Sequence, residues 1–358
     1  MGKRIIIMAG GTGGHVFPAL AVAELLLAEG WQVSWLGTQK GLESRVVPEH
    51  GIEIDWLTVA GVRGKGIGSK IKAVLSLLKA CLQAAKVLKN RKPNVVLGMG
   101  GFVAGPGGLM AKLFGIPLII HEQNRVPGTT NRLLARFASQ VLEGFPGSFN
   151  AKFKAQATGN PLRKKFVTAL ENQSESFEEV IKILVVGGSQ GAKILNEIVP
   201  EAIAEFKELN AYTSQISIRH QTGVVMQSQV DNSYKNLAIS AEVTAFIEDM
   251  VSAYKWADLV ICRSGAMTIS EVAAIGVPSI LVPLPTAIDD HQTANAHYLS
   301  DAGAGIILAQ KELNSKSLAL CINTVLEELP QMSKAAKKCA LLDATEIVAN
   351  YCVIEAGL

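Results

Sequence analysis

Short apolar runs alternate with helix-like segments along most of the chain. The first run, RIIIM at 4–8, leads into the glycine-rich segment AGGTGGH and then into an apolar stretch that continues to Glu29. Pro18 suits the first turn of a helix, and Gly30 suits its end. The same order of strand, glycine-rich turn and helix returns at NVVLGMGGFVAGPGG, 94–108. The pattern therefore predicts alternating strands and helices.

The pattern starts again in the second half of the chain, after GNPLRKKF at 159–166. The order of strand, glycine-rich turn and helix occurs again in IKILVVGGSQGAKIL, 181–195, and once more in ADLVICRSGAMTISEV, 257–272. The strand-like runs are almost continuously apolar, which is typical of parallel sheets covered by helices on both faces. The sequence therefore predicts an α/β protein of two doubly wound Rossmann-like domains facing a cleft, with ligands at the carboxyl ends of the strands.

Composition narrows the class of protein without naming a function. Among 358 residues, 49% are hydrophobic and 18% are charged, which supplies large cores and argues against disorder. The apolar runs are too short to predict a membrane-spanning helix, and the start is too short for a signal peptide. Five scattered cysteines without C-x-x-C spacing predict neither a disulfide framework nor a zinc site, and they favour a reducing cytoplasm.

Charge is unevenly distributed along the chain. Residues 56–121 contain ten basic side chains and no acidic one, although the net charge of the whole chain is only +3. Within the helix-like segment 67–92, one set of residues has the spacing of a core-facing stripe: Ile71, Val74, Leu75, Leu78, Leu82, Ala85 and Leu88. Leu77, Cys81 and Val87 lie outside or at the margin of that stripe among lysines. This basic helix therefore either lies on an anionic membrane or presents a solvated face, while nucleic acid is disfavoured because no binding motif appears.

The first glycine-rich segment, GGTGGH at 10–15, has the features of an anion-binding turn. Glycines allow close backbone approach, and a helix N-terminus offers unpaired N–H groups. The segment matches neither nucleotide fingerprint, and no acidic residue ends the strand QVSWLGT, so a dinucleotide dehydrogenase is disfavoured. A tight turn without a ligand is the alternative. His15 at its end is either a general base, since imidazole titrates near neutral pH, or a packing residue.

Four later motifs place polar groups where strands end. Ser189 in GGSQGA could bind phosphate, and Glu271 in RSGAMTISE either accepts hydrogen bonds from a ribose diol or favours the helix start. The motif DDHQTANA, 289–296, is interpreted as binding sugar hydroxyls through Gln292 rather than as a metal site. HEQN, 121–124, either reaches a ligand or caps its turn.

Together these motifs resemble one family over nearly the whole chain. GGTGGHVFPALAVA, VVLGMGGFVAGPGG, HEQN, GNPLR, VVGGSQGA, CRSGAMTISE and DDHQTANA follow one another in the order typical of the MurG family of bacterial peptidoglycan glycosyltransferases. The resemblance implies the glycosyltransferase B fold and transfer of N-acetylglucosamine from UDP-N-acetylglucosamine to undecaprenyl-pyrophosphoryl-N-acetylmuramyl-pentapeptide, the conversion of lipid I to lipid II. It implies no required cofactor and no metal.

The resemblance also implies roles for single residues. His15 corresponds to the family's suspected general base. Glu271 would hold the ribose, Ile247 would meet the uracil through backbone groups, and Ser189 would contact phosphate. The full set of implied substrate-binding positions is Thr12, Gly13, Gly14, Asn124, Arg163, Ser189, Ile247, Ala266, Met267, Thr268, Ile269, Ser270, Glu271 and Gln292. One departure is His291, where some members have glutamine.

The family's organisation implies how the chain divides and where it acts. Residues 1–162, joined by 338–358, would form the domain that binds acceptor and membrane, and residues 163–337 would form the UDP-sugar domain. The family attaches to the cytoplasmic face of the inner membrane through an apolar and basic patch, which the lysine-rich segment here is expected to supply.

The expected reaction is a single inverting displacement at the anomeric carbon by the acceptor's C4 hydroxyl, through an oxocarbenium-like transition state. Two alternatives stay open at this stage. A non-hydrolysing UDP-sugar epimerase shares the two-domain plan but would need acidic catalytic residues. A membrane-surface protein that binds UDP-sugar without catalysis would release no UDP when given acceptor.

Overall fold

The chain folds into two compact units. The computed structural model describes residues 2–58, 67–168, 180–188, 190–210 and 215–357, for 67–73 and 210 without their side chains. One unit contains residues 1–163 and 341–358, and the other contains residues 164–340. The units thus divide after Arg163 and after Ala340, close to the divisions after 162 and 337 that the sequence suggested.

The N-terminal unit is built on a sheet of seven parallel strands in the order β3-β2-β1-β4-β5-β6-β7. These strands are β1 (Arg4–Ala9), β2 (Gln32–Gly37), β3 (Glu53–Trp56), β4 (Val95–Gly100), β5 (Leu118–Glu122), β6 (Gln140–Glu143) and β7 (Gln156–Ala157). The helices that lie between these strands in the sequence are α1 (Gly13–Ala28), α2 (Glu43–Glu49), α3 (Ile67–Arg91), α4 (Ala104–Leu113) and α5 (Thr129–Leu134).

The apolar run of β1 is continuous because both faces of the sheet are covered. Ile5 and Ile7 pack into one core cluster, whereas Ile6 and Met8 pack into the cluster on the opposite face. Successive side chains of a strand point to opposite faces. A strand with helices on both sides therefore needs apolar residues at every position.

The second unit repeats this plan with six parallel strands in the order β10-β9-β8-β11-β12-β13. The strands are β8 (Ile181–Val186), β9 (Ile216–Gln221), β10 (Ala241–Thr244), β11 (Leu259–Cys262), β12 (Ser279–Leu281) and β13 (Gly305–Ile307). The helices are α6 (Lys164–Val167), α7 (Lys193–Asn210), α8 (Gln227–Asn236), α9 (Met250–Trp256), α10 (Ala266–Ile275), α11 (His291–Ser300), α12 (Ser315–Glu327) and α13 (Leu329–Lys338). The expectation of two doubly wound parallel sheets is confirmed.

The last helix, α14 (Ala344–Glu355), belongs to the N-terminal unit. Val348 and Cys352 are buried in the core cluster that also contains the inner face of α1. Two side-chain hydrogen bonds tie the segment down: Gln140 Nε2 donates to Glu355 at 2.9 Å, and Thr345 Oγ1 donates to the Leu162 carbonyl at 3.1 Å.

In the part of α3 whose side chains are described, the predicted core stripe is wrong at four positions and right at Leu88, while Ala85 is half-buried. Val74, Leu75, Leu78 and Leu82 are 56–73% exposed, while the buried side consists of Ala80, Ala84 and Leu88. The buried set recurs every four residues, and its two alanines let the helix backbone approach its neighbours closely. Spacing alone does not distinguish two apolar sides of one helix, and the larger residues occupy the solvent side.

Within the described part of the chain, no helix combines the length and hydropathy that crossing a membrane requires.

Candidate functional site

In the N-terminal unit, glycine-rich turns meet where the neighbouring strands β1 and β4 end. Residues 10–12 follow β1, and Gly100 and Gly101 mark the end of β4. A Cβ atom on Gly101 would lie 2.5 Å from the Gly10 carbonyl oxygen, and Gly101 has φ of +80°. No side chain fits between the two backbones, so glycine is required for the two turns to touch.

His15 lies in the first turn of α1, directly beside this contact. Thr12 is the N-cap, and its carbonyl accepts the N–H groups of His15 and Val16 at 3.1 and 3.2 Å. A Cβ on Gly100, whose φ is +101°, would lie 2.8 Å from His15 Cδ2. The half-buried imidazole therefore packs against bare backbone at the strand end. Thr12, Gly13 and Gly14 form the helix start on which an anion is expected to bind.

Glu43, which the sequence interpretation overlooked, fixes the turn after β1. Its carboxylate is fully buried and accepts three hydrogen bonds, from Gly11 N at 2.9 Å and from Thr38 N and Oγ1 at 2.9 and 2.7 Å. Gly10 and Gly41 pack against it so closely that a Cβ on either would clash with its oxygens. An acidic residue in the polar segment GTQKGLE, just after a buried strand, was the available signal.

The motif HEQN mostly holds its own loop. Glu122 is buried and accepts hydrogen bonds from Asn124 N and Nδ2, Gly128 N and Asn131 Nδ2 at 2.9–3.1 Å. His121 and Gln123 are buried as well. His121, Glu122 and Gln123 therefore hold the turn that follows β5. Asn124 is half-buried after the end of that strand, and Glu122 holds it there.

Arg163 lies beside the start of α1. Its exposed guanidinium carbon is 5.6 Å from the centre of the Phe17 ring, which projects from that helix one turn after Gly13. This distance is within the range of a cation–π contact. In the N-terminal unit, the implied site residues Thr12, Gly13, Gly14, His15 and Arg163 are thus grouped around one helix start.

In the second unit, three loops follow the neighbouring strands β8, β9 and β10. We call residues 187–192 the β8 loop, residues 222–223 the β9 turn and residues 245–247 the β10 loop. A Cβ on Gly191, with φ of +74°, would lie 1.9 Å from the Thr222 carbonyl oxygen, so the β8 loop sits directly on the β9 turn. Ser189, the expected phosphate contact, lies outside the described residues.

Ile247 in the β10 loop is half-buried, and its backbone N–H is already engaged. It donates to Gln221 Oε1 at 2.9 Å. The expected contact of uracil with backbone groups of Ile247 would accordingly fall on its carbonyl rather than on its N–H.

The run at the start of α10 divides by helical face. Ala266 and Ile269 are buried in the core, so their side chains face away from any ligand. Met267, Thr268, Ser270 and Glu271 are half-buried. The Tyr254 hydroxyl approaches Glu271 Oε2 at 3.5 Å. Because positions 267, 268 and 271 of a helix share one face, Glu271 projects beside Met267 and Thr268.

Gln292 lies in the first turn of α11, after β12. Its Oε1 accepts the N–H of Leu284 at 3.0 Å, so its amide steadies the loop between strand and helix. His291 Nδ1 lies 2.7 Å from the Ile288 carbonyl, which requires the proton on Nδ1. Within the described ranges, no group of three or more His, Cys, Asp or Glu side chains has the arrangement of a metal site.

Two buried histidines, one in each unit, are structural, and burial keeps both rings neutral at neutral pH. His121 Nε2 lies 2.9 Å from the Gly159 carbonyl, and burial lowers the pKa of His121 to about 4. His220, in β9, lies between the Tyr234 hydroxyl at 3.0 Å and Asn196 Oδ1 at 3.1 Å, and burial lowers the pKa of His220 to about 3. Asn196 in turn donates to the Thr222 carbonyl at 2.9 Å, so this network supports the β9 turn.

These histidines predict a loss of stability in mild acid. In the unfolded chain an imidazole binds a proton near pH ~6.5, whereas the folded chain holds both rings neutral down to about pH 4. The unfolded state therefore binds more protons between these values, and the free energy of unfolding falls as pH falls, by up to ~1.4 kcal/mol per pH unit and histidine.

Urea unfolding followed by circular dichroism at pH 7.5, 6 and 5 measures this slope. His220→Asn should flatten it, because one of the two rings that bind a proton only in the unfolded chain is then missing. Equal unfolding free energies at pH 7.5 and 5 in the unmodified protein would contradict the assignment.

The chain is similar to known proteins over its full length. The model of the glycosyltransferase family 28 N-terminal domain matches residues 5–143, and that of its C-terminal domain matches residues 182–351. A Methylococcus capsulatus protein named UDP-N-acetylglucosamine--N-acetylmuramyl-(pentapeptide) pyrophosphoryl-undecaprenol N-acetylglucosamine transferase is 56% identical, with all of both chains covered. A Shewanella pealeana protein of the same name is 49% identical over 98% of this chain and 96% of its own. The crystal structure of Acinetobacter baumannii MurG superposes with a TM-score of 0.83 at 40% identity, covering 98% of this chain and 99% of that one.

Proposed function

Since this chain belongs to glycosyltransferase family 28, we propose that it catalyses the reaction for which its full-length relatives are named. It transfers N-acetylglucosamine from UDP-N-acetylglucosamine to undecaprenyl-pyrophosphoryl-N-acetylmuramyl-pentapeptide, and so makes lipid II from lipid I in peptidoglycan synthesis. The observation that carries this conclusion is the 56% identity to a transferase of that name over the whole length of both chains.

The donor is proposed to bind the second unit. Its uracil would meet the Ile247 carbonyl in the β10 loop, its ribose would meet Glu271, and its diphosphate would meet the β8 loop with Ser189. The position of these loops at the carboxyl ends of β8 and β10 supports this assignment, since ligands of doubly wound sheets bind there. Gln292 would meet the sugar.

The acceptor is proposed to bind the N-terminal unit, with its pyrophosphate at the start of α1. The N–H groups and dipole at a helix start favour an anion, and Thr12, Gly13 and Gly14 form that start. His15 follows at once and would accept the proton of the C4 hydroxyl as that oxygen attacks the anomeric carbon. The C–O bond to UDP breaks in the same step, and the sugar inverts.

The leaving diphosphate gains negative charge as this bond breaks. Arg163, the hydroxyl of Ser189 and backbone N–H groups of the β8 loop are proposed to stabilise that charge, so the reaction needs no metal or organic cofactor. The exposed position of Arg163 supports its part in this proposal, since its guanidinium is open to a ligand.

A transfer assay with labelled donor tests the proposed reaction. Protein, UDP-N-acetylglucosamine carrying label in its sugar, and a short-chain lipid I analogue should give a labelled lipid that contains the disaccharide. A label that stays water-soluble at all protein concentrations would refute the proposal.

Glu43 offers a prediction for the acceptor side. Glu43→Gln keeps the size of the side chain but replaces one accepting oxygen by an N–H donor, which would face a donor of Gly11 or Thr38. A buried donor left without an acceptor costs ~1–3 kcal/mol, so we expect kcat/KM for the acceptor to fall about 10- to 100-fold. The control is Glu49→Gln, at an exposed position of the same helix. Wild-type kcat/KM in Glu43→Gln would show that Glu43 does not set the turn.

The chain is further proposed to act at the cytoplasmic face of the plasma membrane, held there peripherally by α3 and α4. Leu75, Leu78 and Leu82 are exposed on α3, with Lys79 and Lys86 exposed among them. The adjoining helix α4 exposes Leu113 at 66%. Apolar side chains interleaved with lysines suit the interface of an anionic bilayer.

Vesicle sedimentation tests this surface. The protein should bind vesicles containing phosphatidylglycerol more tightly than neutral phosphatidylcholine vesicles, because each lysine near the anionic surface contributes ~1 kcal/mol. Lys79→Glu with Lys86→Glu should weaken that binding at least about tenfold and leave turnover on a water-soluble acceptor unchanged. Lys316→Glu, exposed on α12, is the control. Equal binding of the double variant and the control would exclude this face.

A further inference from the structure

We propose that Gln221 is a positioning residue that links the two loops on which the donor's diphosphate and uracil are held. The inference rests on the proposed function, because it concerns the donor site of the second unit. It assigns to a buried amide the task of fixing the distance between the phosphate-binding and base-binding parts of that site.

Gln221 stands where its side chain can serve both loops. It is the last residue of β9, which lies between β8 and β10 in the sheet. The ends of these three parallel strands lie at one edge, so the loops that follow β8 and β10 flank the end of β9. Gln221 is only 2% exposed. Its amide is therefore shielded from water and acts on protein groups alone.

The amide bonds one backbone group of each loop. Gln221 Nε2 donates to the Gly188 carbonyl in the β8 loop at 2.9 Å, and Gln221 Oε1 accepts the Ile247 N–H in the β10 loop at 2.9 Å. A carbonyl can only accept and a backbone N–H can only donate, so the orientation of the amide is settled by its partners. Among side chains of this shape, only an amide supplies a donor and an acceptor together.

Backbone contacts also join both loops to the β9 turn. The β9 turn is bonded to the strand and loop of β10, through Thr222 N to the Thr244 carbonyl at 2.9 Å and Gly223 N to the Ala245 carbonyl at 3.0 Å. The β8 loop touches the β9 turn through glycine backbone, since a Cβ on Gly223 would lie 2.2 Å from the Gln190 carbonyl oxygen. Packing thus seats the β8 loop on the turn, and Gln221 adds the directed link from Gly188 across to Ile247.

This link has a consequence for binding. Uracil and diphosphate are two ends of one ligand. The free energy of binding UDP therefore depends on both loops having the right separation before the ligand binds. Loss of the link should weaken UDP more than it weakens uridine, which engages the β10 loop without the diphosphate. A residue that served only the stability of the sheet would weaken both ligands alike.

Calorimetry with UDP and uridine on three variants of the full chain tests the inference. Gln221→Leu removes both hydrogen bonds, and we expect the Kd for UDP to rise about 10- to 100-fold. Gln221→Glu keeps an acceptor for the Ile247 N–H but has no donor for Gly188, so uridine should bind as in the wild type while UDP weakens at least about tenfold. In turnover, both variants should raise KM for the sugar nucleotide far more than they lower kcat.

The matched control is Gln227→Leu. Gln227 begins α8, and its Nε2 donates to the Val243 carbonyl at 3.1 Å, so its loss removes a comparable hydrogen bond from the same sheet without touching the β8 loop. UDP binding should be unchanged in this variant. Melting temperatures of all variants identify any that fail to fold. The split between UDP and uridine in Gln221→Glu is measured in low and in high salt, because salt screens repulsion between the new carboxylate and the diphosphate but does not restore a lost hydrogen bond. A split that persists in high salt decides the question even if Gln221→Leu unfolds.

Three results would overturn the inference. These are UDP affinity in Gln221→Leu within about twofold of wild type, equal loss in Gln221→Leu and Gln227→Leu, or equal weakening of UDP and uridine in Gln221→Glu. Failure of the wild-type protein to bind UDP would instead refute the donor site itself, and the positioning role with it. The two proposals therefore fail in distinguishable ways.

Discussion

His15→Ala is expected to lower kcat about 100- to 10,000-fold while the affinity for UDP-N-acetylglucosamine stays nearly unchanged. The reason is that the imidazole would act only when the acceptor hydroxyl gives up its proton. The ring is fixed at the start of α1 against the bare backbone of Gly100, in the unit proposed to bind acceptor. Donor binding, proposed for the other unit, should not depend on it.

Steady-state kinetics and donor calorimetry on the same preparation separate these effects. His50→Ala is the matched control, because His50 is a histidine of the same unit whose ring instead pairs with Glu24 on the surface. The large loss of kcat should appear in His15→Ala and be absent from His50→Ala. Unchanged kcat would remove His15 from the mechanism, and equal losses of kcat and donor affinity would make it a binding residue.

Glu271→Ala should have the opposite signature, a rise of about 10- to 100-fold in KM for UDP-N-acetylglucosamine with a small change in kcat. The half-buried carboxylate of Glu271, on the same face of α10 as Met267 and Thr268, can accept hydrogen bonds from both hydroxyls of a ribose. The Tyr254 hydroxyl, 3.5 Å from Glu271 Oε2, helps to orient it, so Tyr254→Phe should show the same effect at a few-fold size.

The contact between Glu271 and the ribose is tested by competition, in which UDP or 2′-deoxy-UDP displaces UDP-N-acetylglucosamine. The wild type should prefer UDP, and Glu271→Ala should bind the two nucleotides equally, because the group that distinguishes them is gone. Glu327→Ala, exposed on α12, should retain the preference. A preference that survives in Glu271→Ala would place the ribose elsewhere.

The sequence predicted the architecture because its strands are buried on both faces. Ile5 to Ala9 are all apolar and all buried, and the glycine-rich turns recur where these runs end. Continuous apolar runs separated by amphipathic stretches admit few arrangements other than parallel sheets between helices. The family followed from the order of several motifs, which no single turn would have specified.

The helix α3 shows where periodicity fails. Leu75, Leu78 and Leu82 have ideal spacing for a core stripe, yet they are exposed, and the small Ala80 and Ala84 face inward. Hydrophobic spacing predicts that a helix has an apolar side, but not which side meets the sheet when two are available.

The supporting groups of the site were the hardest to predict. Glu43 and Gln221 are ordinary polar residues in the sequence, and their importance comes from complete burial and from backbone partners on other loops. Glu43 and Gly11 are 32 positions apart, and Gln221 and Gly188 are 33 apart, so no local pattern reports either contact. Residues expected to touch ligand followed from motifs, whereas those that hold the motifs in place required the fold.

The central claim is transfer to a lipid acceptor, and release of UDP measures it most directly. Wild-type protein is incubated with UDP-N-acetylglucosamine, with and without a lipid I analogue, and UDP and the donor sugar are quantified. UDP release that depends on acceptor, equal in amount to the disaccharide lipid formed, is the result expected. Conversion of the donor to an isomer without acceptor would favour an epimerase, and donor binding without any UDP release would favour a non-catalytic sensor; either result would contradict the proposed transferase.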